Sequence, residues 1–129
     1  MRRSVGIIVK TGNEVLLCKR SKECKTLAGY WSVPGGGVEK NESIKSAALR
    51  EFLEETNVYI DEPMIYVGTS EEKTSSYEMY VFLVESENKI SVSLQNAKDG
   101  FEHTECRYFP LDDLPTPMPD GLKKIINQL

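Results

Sequence analysis

Membrane-length apolar runs, paired cysteine motifs and an excess of positive charge are all missing from this chain, and each absence removes a class of function. No stretch approaches the length that crosses a bilayer as a helix. The opening Met1-Arg2-Arg3 leads into a short alternating stretch and not into a leader with a small-residue cleavage site. The expectation is a cytoplasmic protein with no membrane partner. Cys18, Cys24 and Cys106 are odd in number and show no C-x-x-C spacing, which argues against a disulfide framework and against structural zinc. Reduced thiols are expected. A net charge of −4 argues against a stable nucleic-acid complex. His103, the only histidine, reads as a solvent-facing loop residue. With 129 residues, 40% of them hydrophobic, the chain suffices for one well-buried domain, taken as 1–129, and leaves no room for a second.

What is present concentrates in residues 34–58, PGGGVEKNESIKSAALREFLEETNV. Gly35, Gly36 and Gly37 allow a tight turn and a close backbone approach to a ligand, because no Cβ intervenes. A helix is predicted directly afterwards, capped by Asn41 or Ser43, built on Ala47, Ala48 and Leu49, and stopped at Asn57 in a left-handed conformation. Near its end stand Arg50, Glu51, Glu54 and Glu55. The three acids, spaced i, i+3 and i+4, share an arc of about 100°. They lie where the helix dipole and their mutual repulsion both disfavour negative charge. A hard divalent cation bound through oxygen, Mg2+ or Mn2+, is the natural compensation.

An isolated EFLEE is usually an ordinary charged helix end. Here the segment also matches G-x(5)-E-x(7)-R-E-U-x-E-E-x-G-U, with U a bulky apolar residue, through Gly36, Glu42, Arg50, Glu51, Phe52, Glu54, Glu55 and Val58. Asn57 replaces the last glycine, a mild change because asparagine tolerates the same left-handed backbone. This stretch resembles the Nudix box of the Nudix hydrolase family.

The rest of the chain reads as strands with a final helix. Residues 4–10 and 14–20 form a hairpin, and residues 21–30 are a loop. Strands are expected at 58–60, 64–70, 77–85, 90–94 and 107–109, with a loop from 95 to 104 turning at Asp99-Gly100. LDDLP at 111–115 is a short turn, and Pro119 starts a helix bearing Leu122, Ile125, Ile126 and Leu129. Strands interleaved with two helices indicate an α/β protein with a mixed sheet covered on both faces. The resemblance implies the Nudix fold, an α/β/α sandwich carrying the box as loop-helix-loop.

The resemblance further implies metal-dependent hydrolysis of a pyrophosphate bond in a nucleoside diphosphate derivative. Glu51, Glu54, Glu55 and the Gly35 carbonyl would be the metal ligands, with Arg50 orienting them and Glu42 behind it. A loop carboxylate, Glu102 ahead of Glu105, would act as ligand or base. Arg20, Gly36 and Gly37 would meet the substrate. Trp31 is a candidate to stack on a base, and Asp120 a candidate to read its edge. The short chain entering through W-x-V-P-G-G-G looks like the members that cleave (deoxy)nucleoside triphosphates. ADP-ribose, nucleotide sugars, dinucleoside polyphosphates and a non-catalytic nucleotide-binding regulator are the alternatives. A monomer and a homodimer are both compatible.

Overall fold

A nearly continuous apolar run marks a strand covered on both faces, and residues 4–9 form one. In the computed structural model, which describes residues 2–72, 76–93 and 103–129, they lie in β1 (Arg2–Thr11) and are all buried. Around it stand β2 (Glu14–Arg20), β3 (Trp31–Ser32), β4 (Gly35–Gly37), α1 (Ile44–Thr56), β5 (Ile65–Glu72), β6 (Tyr77–Glu85), β7 (His103–Pro110) and α2 (Asp120–Asn127). The order β3-β2-β1-β6-β5, with β7 on β2 and β4 on β1, makes one mixed sheet. Among the described residues, β1 and β6 run parallel and the other pairs antiparallel.

Period-2 alternation sorts the apolar residues between two cores. Val5, Ile7, Val9, Leu16, Phe82 and Val84 pack on one face with Ala47, Ala48 and Phe52 of α1. Ile8, Val15, Leu17 and Val81 pack on the other with Leu122 and Ile126 of α2. One helix per face gives the expected sandwich. Among the described residues, no helix is long and apolar enough to cross a membrane.

Several sequence-based expectations change. Residues 58–60 and 90–93 are irregular, and Leu94 lies outside the described residues. Their backbone groups find other partners: the Ile90 N–H donates to the Tyr108 hydroxyl, and the Ser93 N–H to the Thr56 carbonyl. Their apolar residues Ile60, Ile90 and Val92 lie against the α1 core, which accounts for the alternation. Leu129 falls beyond α2.

The reduced-thiol expectation is corrected for one pair. Cys18 and Cys106 are bonded, because the β2–β7 register sets them directly opposite, with Cα atoms 4.0 Å apart. Close facing positions of this kind recur in antiparallel ladders. A separation of 88 residues hides the pairing from any local motif.

The three glycines form a strand where a turn was expected. At Gly35 the requirement is close approach to β1, since a Cβ there would stand 1.9 Å from the Val5 carbonyl oxygen. We expect Gly35→Ala to lower the unfolding free energy by about 3 kcal/mol, toward the upper end of overpacking costs. Urea unfolding measures this; a loss within experimental error would mean that β4 shifts freely.

Candidate functional site

Helix α1 begins where the Ser43 hydroxyl accepts the Ser46 N–H at 3.1 Å. It ends at Asn57, whose φ of 61° is left-handed and whose N–H reaches the Leu53 carbonyl. Of the two candidate N-caps, Ser43 serves. Ala47, Ala48 and Phe52 are pinned to the sheet, and that orientation brings Glu51 against Gly36 and Glu55 against Gly35 of β4, with Glu54 held by Arg50. Contact with β4 is intimate. A Cβ on Gly36 would stand 2.3 Å from Glu51 Oε2, so any side chain there would make this carboxylate move aside.

Arg50 organises the acids. Its Nε and Nη2 donate to the two oxygens of Glu42 at 2.7 and 2.9 Å, a bidentate fork. Nη1 donates to Glu51 at 2.8 Å and Glu54 at 3.2 Å, and Nη2 also reaches the Gly37 carbonyl at 3.0 Å. The guanidinium therefore binds helix to β4 as well as acid to acid. The same hydrogen bonds, with one from the Glu39 N–H, lower the Glu42 pKa from 4.5 to about 2. A depressed carboxyl pKa adds stability above the unfolded value, which is lost as pH falls through the folded one. We expect the stability gap between wild type and Glu42→Gln to be complete above pH 4.5 and to close toward about pH 2, read from thermal midpoints across that range. A gap that does not change over it would show that Glu42 acts through packing.

Glu55 is 5% exposed and accepts the Gly35 N–H at 3.1 Å. Beside it lies His103, with Nδ1 3.5 Å from Glu55 Oε2. The expectation of a solvent-facing loop histidine is overturned: His103 opens β7, pairs with Arg20 of β2, and is 6% exposed. Burial first, and the nearby Arg20 charge second, lower its pKa from 6.5 to about 4, so the imidazole is neutral at neutral pH.

Next to the glycines opens a cleft of about 190 Å3. Arg20 lines it, as do Gly35, Gly36 and Gly37, Ser4, Ser32, Ser70, Tyr77, Met79 and Pro119. Among the described residues no acid lines it, and the Arg20 cation there favours an anionic guest. Arg20 is steadied by donation from its Nε to the Thr26 carbonyl at 3.1 Å.

Other candidates fall elsewhere. Trp31 is 5% exposed, packs edge-on against Phe109 at 4.8 Å, and stands outside the cleft lining. Asp120 is exposed at the start of α2, next to cleft-lining Pro119. Glu105 is an exposed β7 residue opposite Lys19, with Arg107 at 3.9 Å. Glu102 and the Asp99-Gly100 turn lie outside the described residues. The sequence reading missed Tyr77, Met79 and Ser70 as cleft residues. For Tyr77 and Met79, the alternation of β6 that separates Val81 from Phe82 was the available signal.

Among the described residues, no three acidic, histidine or cysteine side chains form a ready-made metal cluster. Arg50 holds Glu51 and Glu54, whereas Glu55 turns to Gly35 and His103. The donor set, carboxylates beside bare glycine backbone, is all oxygen and fits Mg2+ or Mn2+ by its chemistry.

Comparison with known proteins gives consistent matches. The NUDIX domain model covers residues 1–129. The Nudix hydrolase YvcI of Bacillus subtilis is 27% identical over 99 residues, covering 72% of this chain and 60% of that protein. The human protein named 8-oxo-dGDP phosphatase NUDT18 is 31% identical over 116 residues, covering 88% of this chain and 33% of that protein. The chain thus spans less than two thirds of these relatives. The MutT NUDIX hydrolase of Burkholderia pseudomallei has the same fold, with a TM-score of 0.83, 24% identity, and coverage of 99% and 97% of the two chains.

Proposed function

This chain belongs to the Nudix hydrolase family, and on that premise we propose that it hydrolyses a pyrophosphate bond in a nucleoside diphosphate derivative, foremost a (deoxy)nucleoside triphosphate, releasing a nucleoside monophosphate. The observation that carries this reading is that Gly35–Gly37 line the Arg20 cleft while Glu51 and Glu55 of α1 stand against Gly36 and Gly35. Substrate held in the cleft has its phosphates at the glycine backbone, directly beside the carboxylates. Arg20 would bind the anion, and Asp120, next to cleft-lining Pro119, would read a base edge. Trp31 is withdrawn from stacking, because its ring belongs to the core.

Glu51, Glu54, Glu55 and the Gly35 carbonyl would hold Mg2+ or Mn2+, joined by Glu102. The cation supplies charge neutralisation and acidifies the attacking water. Arg50 keeps Glu51 and Glu54 aimed at the phosphates. The cleft falls below the roughly 300–1,000 Å3 of drug-sized pockets, which suits a single nucleoside better than a dinucleoside polyphosphate.

A panel of nucleoside triphosphates, oxidised guanine nucleotides, ADP-ribose, nucleotide sugars and dinucleoside polyphosphates, each with Mg2+ and with Mn2+, tests the proposal. Oxidised guanine nucleotides are included because of the name of the human relative. Release of nucleoside monophosphate is the expected result. Tight binding without hydrolysis under either metal would make the chain a nucleotide-binding regulator.

Glu102→Gln is expected to lower turnover by about 10²-fold, the lower range for loss of a positioned base. Glu105→Gln should change little, since that side chain is exposed on a strand and near Arg107. Steady-state kinetics of both variants decide, and the opposite ranking transfers the role to Glu105.

A further inference from the structure

His103 is buried, and it bridges the two halves of the site. Across the ladder it faces Arg20, which lines the cleft, and its Nδ1 lies 3.5 Å from Glu55 Oε2. The same Glu55 oxygen accepts the Gly35 N–H, so β4 and β7 approach one carboxylate oxygen together. Closing the histidine contact by a few tenths of an ångström makes it a hydrogen bond. We propose that His103 is a positioning residue that donates from Nδ1 to Glu55, and so fixes that carboxylate for a divalent cation while Arg20 engages the phosphates. The inference rests on the reading of Glu55 as a cation ligand.

Several observations support it. The His103 side chain is 4% exposed and that of Glu55 6%, so water competes little for the contact. A buried carboxylate needs donors, and an N–H that orients a ligand raises metal affinity by setting its geometry in advance. A neutral imidazole can supply one such N–H without adding a positive charge that would oppose a cation. Neither the helix motif nor the glycine strand reveals the contact, because His103 is brought in by the pairing of β7 with β2.

The test is Mn2+ binding to the substrate-free protein, followed by the electron paramagnetic resonance signal of the free ion, for wild type, His103→Leu, His103→Asn and Glu55→Gln. Leucine fills the space without a donor, and asparagine keeps one at the δ position. We expect His103→Leu to bind Mn2+ about 10-fold more weakly or worse, within the range for lost support behind a metal ligand. We expect His103→Asn to recover most of that loss, and the thermal midpoints of the folded variants not to follow the ranking of affinities. Should His103→Leu fail to fold, His103→Asn decides: near wild-type affinity supports the proposal, and a loss as deep as that of Glu55→Gln overturns it. Equal Mn2+ binding by wild type and His103→Leu also overturns it, leaving the functional reading intact. Absence of Mn2+ binding by the wild-type protein would instead overturn that reading, and the inference with it.

Discussion

Glu54→Gln is expected to lower pyrophosphate hydrolysis by about 10³-fold, in the middle of the range for losing a positioned acid–base or charge-bearing group, with the fold unchanged. Glutamine keeps the shape and most of the helix propensity of glutamate, and removes only the charge. Glu54 stands on the flank of α1, partly exposed, with Arg50 Nη1 at 3.2 Å. Losing that partner leaves Arg50 its fork on Glu42 and its contact with Glu51, so the helix stays docked on β4. Relief of repulsion among the acids should raise the thermal midpoint of the metal-free protein slightly. Turnover close to wild type, measured at saturating Mg2+, would remove Glu54 from the catalytic set.

Arg50→Ala is expected to damage both stability and activity. Its side chain is 23% exposed, and those of Glu42, Glu51 and Glu54 are 14%, 16% and 27% exposed, so these charges are only partly screened by water. Removing the one arginine leaves the three carboxylates to repel one another, and releases the Gly37 carbonyl from its donor. We expect a loss of about 3 kcal/mol in unfolding free energy, the low end for breaking a buried pair by deleting one partner. Mg2+ should restore part of the thermal midpoint, and restore more in the variant than in wild type, because a bound cation takes over the missing neutralisation. A variant as stable as wild type, or one that Mg2+ leaves untouched, would show that the acids do not depend on Arg50 in this way.

The helix from residue 44 to residue 56 and its stop at Asn57 were legible because caps, propensity and the i, i+3, i+4 spacing of the acids are local properties of the chain. The β1–β2 hairpin and β6 were legible for the same reason, through alternation and turn residues within a few positions. The family motif likewise spans one contiguous stretch.

Contacts between distant segments decided the rest. Cys18 meets Cys106 and Arg20 meets His103 because β7 pairs with β2, a register set by the whole sheet. That register buries the histidine beside Glu55, where loop statistics placed it in water. Residues 90–93 alternate like a strand, yet Ile90 and Val92 pack on the α1 core, and the Ser93 and Ile90 N–H groups donate to the Thr56 carbonyl and the Tyr108 hydroxyl. Trp31, a candidate to stack on a base, is 5% exposed and packs edge-on against Phe109, far along the chain. Local sequence thus determined the two helices, the hairpin and β6, and which acids gather on one helix. Only the tertiary structure determined what stands opposite them, because strand pairing joins residues according to the register of the complete sheet and not according to their neighbours in sequence.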